Sequence, residues 1–539
     1  CLHLLIPHLH IPERMFWDWK IMRLLMWIIQ LVALVVLRVK ALTIRGTSLI
    51  VRGTCLITRP FRFLRGTARA DSTRKTVAVV GGGFGGLYSA LKIARRADAN
   101  TDVYLIDPKE SFVFLPLLYE LAVGTASAAE VAPTYESLFR GTRVKFLRAA
   151  VSAVDLDAHV CHLHPQTDAP KTLSYDKLVL AVGIQPRTEL VAGAAEHSLP
   201  FYTADDAVKL KQRLAQLRDR QGAVHVAVIG GGYSGVEVAT NVARDLWGTG
   251  ENKGSKVADQ SGEQGGEGRV CVTIVERNDA LMPSSPAHNR NVALRSLKRC
   301  GVTTCLSTSV KAVEATGLRL EDARGERFLP ADLVLFTAGT QQGALVRGLA
   351  LPKDRQGRIR TSRTLQSETH DEVFALGDCA GGGDPATAQV AMQQAGVLAN
   401  NVLRSIKADR SIAGTEGAGA ADKAVGAGDG SRAVADSNGV KRAKHVSGLA
   451  EFKYFSLGEM LSLGDTDATV HSLGGWVRMS GLLAALARRA IYAVRMPTMR
   501  QRLRAFLYAV MATSRKLLLT HFRPRSASTP TPIVSAGSR

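Results

Sequence analysis

Cysteine is scarce in this chain, acidic residues are nearly absent from its two ends, and its apolar runs are short. Seven cysteines in 539 residues do not make a disulfide scaffold. None lies between residues 76 and 160, and the 13 histidines show no ligand spacing with cysteine, so no metal site is expected. The uncharged run Leu24–Leu37 has 14 residues. As a helix it spans about 21 Å against roughly 30 Å of bilayer hydrocarbon, too short to be read as a membrane span. Acid is short only at the ends. Residues 1–75 hold 13 basic and 3 acidic residues, 468–539 hold 12 basic and no acidic ones, and the stretch 76–467 holds 44 of each. The net charge of +22 therefore belongs to two terminal segments, and a basic nucleic-acid-binding core is excluded. With 46% apolar residues, the chain is expected to form three or four packed domains.

The ends read differently from the middle. The chain starts at Cys1 rather than Met, from which a longer amino terminus is expected. Arg38 to Lys75 carries ten basic residues and one acid, Asp71, a composition that fits a cleaved organellar transit peptide over residues 1–75 or a disordered basic tail. Toward the other end, Leu483, Leu486, Ala490 and Val494 form one helical stripe. Leu503, Phe506, Leu507 and Val510 form a second, with Pro497 between them and Arg500, Arg502 and Arg504 off the stripe. Helices so basic suit an anionic membrane surface, with docking on the chain's own domain or on a second subunit as the alternative. The region 446–539 is expected to be this membrane contact.

In the neutral middle, Thr76–Val80 is a short β-branched run followed by Gly81-Gly82-Gly83-Phe84-Gly85-Gly86 and a helical pattern. Val226–Ile229 leads likewise into Gly230-Gly231-Gly232-Tyr233-Ser234-Gly235. One such turn is weak; two copies between strand and helix predict two dinucleotide sites. Gly81 and Gly230 permit the turn, Gly83 and Gly232 admit a pyrophosphate, and Gly86 and Gly235 bring helix and strand together. Each copy has an acid closing its next strand. Asp107 lies 26 residues after Gly81 and Glu276 lies 46 after Gly230. The excess is the insertion 248–268, 21 residues with seven glycines, read as a flexible loop. A second low-complexity stretch, 408–445, is expected to be a disordered linker.

Nested glycine turns of this kind resemble the two-dinucleotide-binding flavoprotein oxidoreductases. Segments Tyr175–Gly183, Leu333–Gly339 and Val373–Asp378 match that family's crossovers and its terminal FAD-binding strand. The resemblance implies an α/β fold of two nested Rossmann-type dinucleotide-binding domains, followed by the C-terminal amphipathic-helix membrane-contact region. The FAD-binding domain would be 76–205 with 330–404, and the NAD(P)H-binding domain 206–329. FAD would be held by Gly81, Gly83, Phe84, Gly86, Asp107, Gly183 and Asp378. NADH, or NADPH, would be held by Gly230, Gly232, Gly235, Glu276 and Gly339. Arg277 beside Glu276 leaves NADPH open.

The Ala386–Gln394 block, the apolar segment Phe112–Glu120, and Phe452–Gly464 with Ile491–Thr498 resemble the type II, non-pumping NAD(P)H:quinone dehydrogenases, most of all the C-type enzymes of plant plastids and mitochondria. That likeness implies quinone contact at Gln389, Gln393 and Gln394, with Glu237 and Gln393 as catalytic groups and a prenylquinone of the ubiquinone, plastoquinone or phylloquinone-precursor class as acceptor. It also implies a membrane-associated protein in an organelle, plastid before mitochondrion, without nucleic-acid partners and with a homodimer open. For Glu237 the alternative role is an acid at a helix amino terminus. For the glutamines it is a plain core helix. Rival functions are a sulfide:quinone oxidoreductase, for which Cys161 and Cys379 are the candidate thiols outside the NAD half, and a binding flavoprotein resembling apoptosis-inducing factor. Cys300 and Cys305 read as ordinary thiols.

Overall fold

The structure is a computed structural model that describes residues 74–166, 170–247, 270–419 and 448–508. The leader up to residue 73, the insertion 248–268, the stretch 420–445 and Val510 lie outside the described residues.

Strand β1 (Lys75–Val80), with its last four residues buried, runs into helix α1 (Phe84–Arg96). The helix buries Leu87, Ala90, Ile93 and Ala94, a stripe at helical spacing that lies on the sheet. Its basic last turn, Arg95 and Arg96, faces the negative helix end. Strands β2 (Thr101–Asp107), β3 (Val144–Asp155), β4 (Val160–Pro165), β5 (Thr172–Ser174) and β6 (Lys177–Leu180) follow, with the short helix α2 (Leu118–Ala122) between β2 and β3. A second unit contains β7 (Leu199–Pro200), α3 (Ala204–Arg218), β8 (Val224–Ile229), α4 (Tyr233–Trp247), β9 (Val270–Val275), α5 (Ala287–Arg299) and β10 (Thr303–Cys305). The antiparallel ribbon β11 (Ser309–Glu314), β12 (Gly317–Asp322) and β13 (Gly325–Pro330) and then β14 (Leu333–Phe336) complete it. The chain returns to the first unit through β15 (Val373–Ala375) and the long helix α6 (Ala388–Gly419).

The first sheet has the order β15-β6-β1-β2-β3-β4-β5, parallel from β15 to β3. The second has the order β10-β9-β8-β14-β7 and is parallel throughout. Sheet membership moves the expected domain boundaries. Leu199–Pro200 and Leu333–Phe336 pair within the second sheet, so that unit begins before residue 206 and ends after 329.

Two features of the expected organisation are corrected. The disordered linker expected from 408 is helical as far as Gly419. Its composition lacks an apolar stripe, but charge secures it. The Nζ of buried Lys177 pairs with Asp409 at 2.9 Å, and Arg410 binds Asp98 and the Asn100 carbonyl. The C-terminal region is also more than helices. It starts with a three-stranded antiparallel sheet, β16 (Glu459–Ser462), β17 (Ala468–Ser472) and β18 (Val477–Ser480), followed by α7 (Gly481–Arg495) and helical residues 499–508. That small sheet docks on the second unit through Asp467. Its carboxylate is buried and accepts from Arg244 Nη2 at 2.9 Å, Arg299 Nη2 at 2.7 Å and Ser296 Oγ at 3.0 Å. Among the described residues no helix is long and apolar enough to cross a membrane.

The Asp467 contact is testable. Asp467→Ala leaves two guanidinium groups and a buried hydroxyl without their acceptor. It is expected to lower stability by about 1–3 kcal/mol, read as a fall in the urea midpoint at unchanged slope.

Candidate active site

The two glycine turns are superposable in their bonding. Gly81 (φ +95°) and Gly230 (φ +106°) adopt the left-handed backbone that opens each turn. Their amides donate to Ile106 O and Val275 O, both at 2.9 Å. A methyl on Gly86 would sit 1.8 Å from Gly81 O, and one on Gly235 would sit 1.9 Å from Gly230 O. Helix and strand meet there with no room for a side chain. At Gly83 and Gly232 a methyl would meet nothing within 4 Å, so the backbone faces open space at the amino end of the helix.

The acids match too. Asp107 accepts from Gly82 N at 2.7 Å and Lys109 N at 2.8 Å; Glu276 accepts from Gly231 N at 2.6 Å and Asn278 N at 2.8 Å. Burial pushes the Asp107 carboxyl up, against the pull of those two amides. The residues above the turns were not legible beforehand. The hydroxyl of buried Tyr135 donates to Gly82 O at 2.8 Å, whereas Leu281 covers Gly231.

Gly183 (φ +64°) and Gly339 (φ +72°) precede the two crossovers between units, which pair as a ribbon, Gln185–Pro186 with Thr340–Gln341. Asp378 follows β15. Burial raises its carboxyl while Arg358 opposes the rise, and Gln342 Nε2 donates to its carbonyl at 3.0 Å. Phe84 packs edge-on against Phe112 and Phe114 at 5.1 and 5.3 Å between centroids, and Phe114 in turn meets Tyr492 of α7 at 5.4 Å.

The last contact brings in a face of α7 that the apolar stripe did not mark. Leu483, at the start of the stripe read as a membrane contact, is 70% exposed; the buried face is Ala484, Ala485, Ala487, Arg488, Tyr492 and Ala493. Arg488 is 1% exposed. It donates to Glu120 and to the Tyr119 hydroxyl, both on α2, and Arg489 donates to the other Glu120 oxygen at 2.9 Å. The one signal that could have found this pair is Glu120 itself, a lone acid in an otherwise apolar segment.

Glu237, partly buried on α4, accepts from Ser462 N at 2.9 Å. Burial pushes its carboxyl up to about 7, with Ser462 and Arg488 opposing and Glu120 adding to the rise. Of the three glutamines, Gln394 is buried and accepts from Gly377 N at 2.8 Å, which ties α6 to the turn bearing Asp378. Gln393 exchanges both amide bonds with the Phe455 backbone, at 2.8 and 3.2 Å. Gln389 Nε2 is buried without a partner. Their four-residue spacing made Gln389 and Gln393 equivalent, but the structure separates them. Among the described residues no group of His, Cys, Asp or Glu is placed to hold a metal.

Residues 75–395 match the family described as pyridine nucleotide-disulphide oxidoreductase. The chain is 34% identical over 440 residues to the demethylphylloquinone reductase NdbB of Synechocystis sp., covering 80% of this chain and 94% of that protein. It belongs to this family, in its type II NAD(P)H:quinone oxidoreductase branch. The alternative NAD(P)H-ubiquinone oxidoreductase C1, chloroplastic/mitochondrial, of Arabidopsis thaliana is 28% identical over 469 residues, 79% of each chain. The structure of NDH2 from Plasmodium falciparum in complex with NADH shares the fold at a TM-score of 0.62, with 15% identity, over 82% of this chain and 98% of that one.

The enzyme is thus an FAD-dependent NAD(P)H:quinone oxidoreductase. Its residues fit the two dinucleotides. Each turn leaves one glycine facing open space, and each next strand ends in an acid beside it.

Alanine at the third glycine separates the two sites. Gly86→Ala is expected to yield colourless protein without bound flavin. Gly235→Ala should keep the oxidised-flavin spectrum and weaken NADH at least ~30-fold, about 2 kcal/mol of overpacking, read as KM for NADH.

Proposed function

We propose that the enzyme oxidises NAD(P)H at its second glycine turn and reduces a prenylated quinone, of the ubiquinone, plastoquinone or phylloquinone-precursor class, at a membrane surface. One observation carries this reading. Tyr119 and Glu120 of the first unit bond Arg488 of α7, Tyr492 of α7 packs through Phe114 toward Phe84 of the first turn, and the Glu237 carboxyl of the second unit lies within the field of both Arg488 and Glu120. Bound FAD supplies the two-electron relay between nicotinamide and quinone.

The chain's own residues bind, orient and move protons. Gly81, Gly83 and Gly86, with Phe84, Asp107, Gly183 and Asp378, hold FAD. Gly230, Gly232, Gly235, Glu276 and Gly339 hold NAD(P)H. The Glu276 carboxylate favours NADH, because a 2′-phosphate would be repelled. Gln389 offers its unpartnered amide to the quinone, and Gln393 holds the Phe455 segment beside it. Burial holds the Glu237 carboxyl up at about 7, a range in which it can exchange a proton as quinone becomes quinol.

The tail supports a membrane face. Trp476 is 94% exposed and Leu503 61% exposed, Leu482, Leu483, Met499 and Leu507 are exposed as well, and Arg500, Arg502 and Arg504 share the same surface segment. An organellar membrane, plastid before mitochondrion, is in keeping with the chloroplastic/mitochondrial Arabidopsis relative. The sulfide reading is less favoured. Burial pushes Cys161 up to about 12 and Cys379 up to about 11, which leaves both as unreactive thiols.

The experiment is steady-state assay of the tail-containing holoenzyme on anionic vesicles, with NADH and NADPH against benzo- and naphthoquinones. Turnover should require quinone and resist rotenone; NADH oxidation that ignores every quinone tested sinks the reading. Gln389→Ala should lower quinone-dependent turnover about tenfold and leave flavin reduction by NADH unchanged, whereas equal loss of both steps would refute the acceptor site. If Glu237 donates the proton, turnover should fall as pH rises through about 7. Glu237→Gln should cost about 10²-fold or more and remove that inflection.

A further inference from the structure

Strand β16 (Glu459–Ser462) lies against the first turn of α4. At one end the Glu459 carboxyl accepts from the Tyr233 hydroxyl at 2.5 Å; at the other the Ser462 amide donates to Glu237 at 2.9 Å. Tyr233 and Glu237 are four apart on the helix and so share one face. Glu459 Oε2 also accepts from the hydroxyl of buried Ser285 at 3.3 Å. Three separated parts of the chain thus meet at this carboxyl: α4, the loop from β9 to α5, and the C-terminal sheet.

Both hydroxyls belong to the surroundings of the second glycine turn. Tyr233 is the first residue of α4 and follows Gly232, where a methyl would meet nothing within 4 Å. Ser285 ends a loop that is folded onto the same turn. Leu281 covers Gly231, Met282 N donates to Gly231 O at 3.0 Å, and Ser285 N donates to Met282 O at 3.0 Å. Met282 adopts a left-handed backbone there (φ +46°), which a residue with a side chain keeps only where its surroundings hold it.

Docking of the sheet does not need Glu459. Asp467 already accepts from Arg244, Arg299 and Ser296, and the Thr469 hydroxyl donates to buried Asn289 Oδ1 at 2.8 Å. Among the described residues the partners of Glu459 are two neutral hydroxyls. A carboxylate so placed is a strong and directional acceptor, and what it directs is the two side chains beside the turn.

We propose that Glu459 is a positioning residue for NAD(P)H. From the C-terminal sheet it holds the Tyr233 ring and the Ser285 loop in the arrangement that receives the dinucleotide at Gly232. This rests on the reading of the second turn as the NAD(P)H site. Affinity for the electron donor then depends on a strand 226 residues further along the chain.

The measurement is anaerobic reduction of the bound flavin by NADH in the full-length holoenzyme, followed at increasing NADH, with the quinone KM taken in steady state. Glu459→Ala should raise the NADH concentration for half-maximal flavin reduction about tenfold, the loss of one charge-assisted hydrogen bond. The limiting rate and the quinone KM should stay within about twofold, as expected where binding alone is lost. Tyr233→Phe should act in the same direction, and the double variant should cost no more than the larger single effect, since both changes remove one contact. Glu459→Gln keeps an acceptor oxygen and should recover most of the loss; it carries the test with Tyr233→Phe if Glu459→Ala holds no flavin. Unchanged half-saturation in the single variants, or effects that add in the double variant, overturn the proposal alone. So do NADH and quinone constants that rise together, because they mark a loosened sheet. A half-saturation that survives Gly235→Ala overturns the reading of the second turn and the proposal with it.

Discussion

A guanidinium and a carboxylate buried side by side must give up water together, and neither can be left behind without the other. Removing one partner of such a pair costs about 3–5 kcal/mol, since the survivor is an uncompensated buried charge. Arg488 and Glu120 stand in this relation, with 1% and 4% of their surfaces exposed. Their pairing fixes α7 on α2, brings Tyr492 onto Phe114 and thereby reaches Phe84 at the first glycine turn. The chain's last described helices thus close a site that its first strand begins.

The two dinucleotide turns show how narrowly that chemistry constrains backbone. Both units place a left-handed glycine after the strand and a glycine without side-chain room in the helix. Both end the next strand in an acid that accepts from the second glycine's amide and from the amide two residues beyond itself. Aspartate serves one copy and glutamate the other. What differs is what covers them, a tyrosine with a hydrogen bond in the first and a leucine in the second. The constraint lies in the backbone around the phosphates, while the cover is free to vary.

Charge in the tail divides by side. Arg488 and Arg489 face inward and are answered by Glu120, although the tail itself contains no acid. Counting charge along the sequence could not show that the partner lay more than 360 residues away. Arg500, Arg502 and Arg504 face outward beside exposed Leu503 and Leu507. The tail therefore serves both as packing element, through α7, and as surface, through residues 499–508.

The sequence by itself determined what is local. The strand–glycine–helix units, the acids at fixed distance, the nesting and the family were all legible, because phosphate-binding turns permit few residues and the permitted ones are contiguous. Tertiary structure decided whatever depended on partners distant in the chain. It turned the Leu483 stripe outward and carried α6 to Gly419 on contacts with Lys177 and Asp98. It also gave Gln393 and Gln394 different partners and left the Gln389 amide without one, despite their shared helix. Periodicity identifies a helix face but not what meets it. A buried charge is tolerated only opposite a second charge, and only the fold can supply that neighbour.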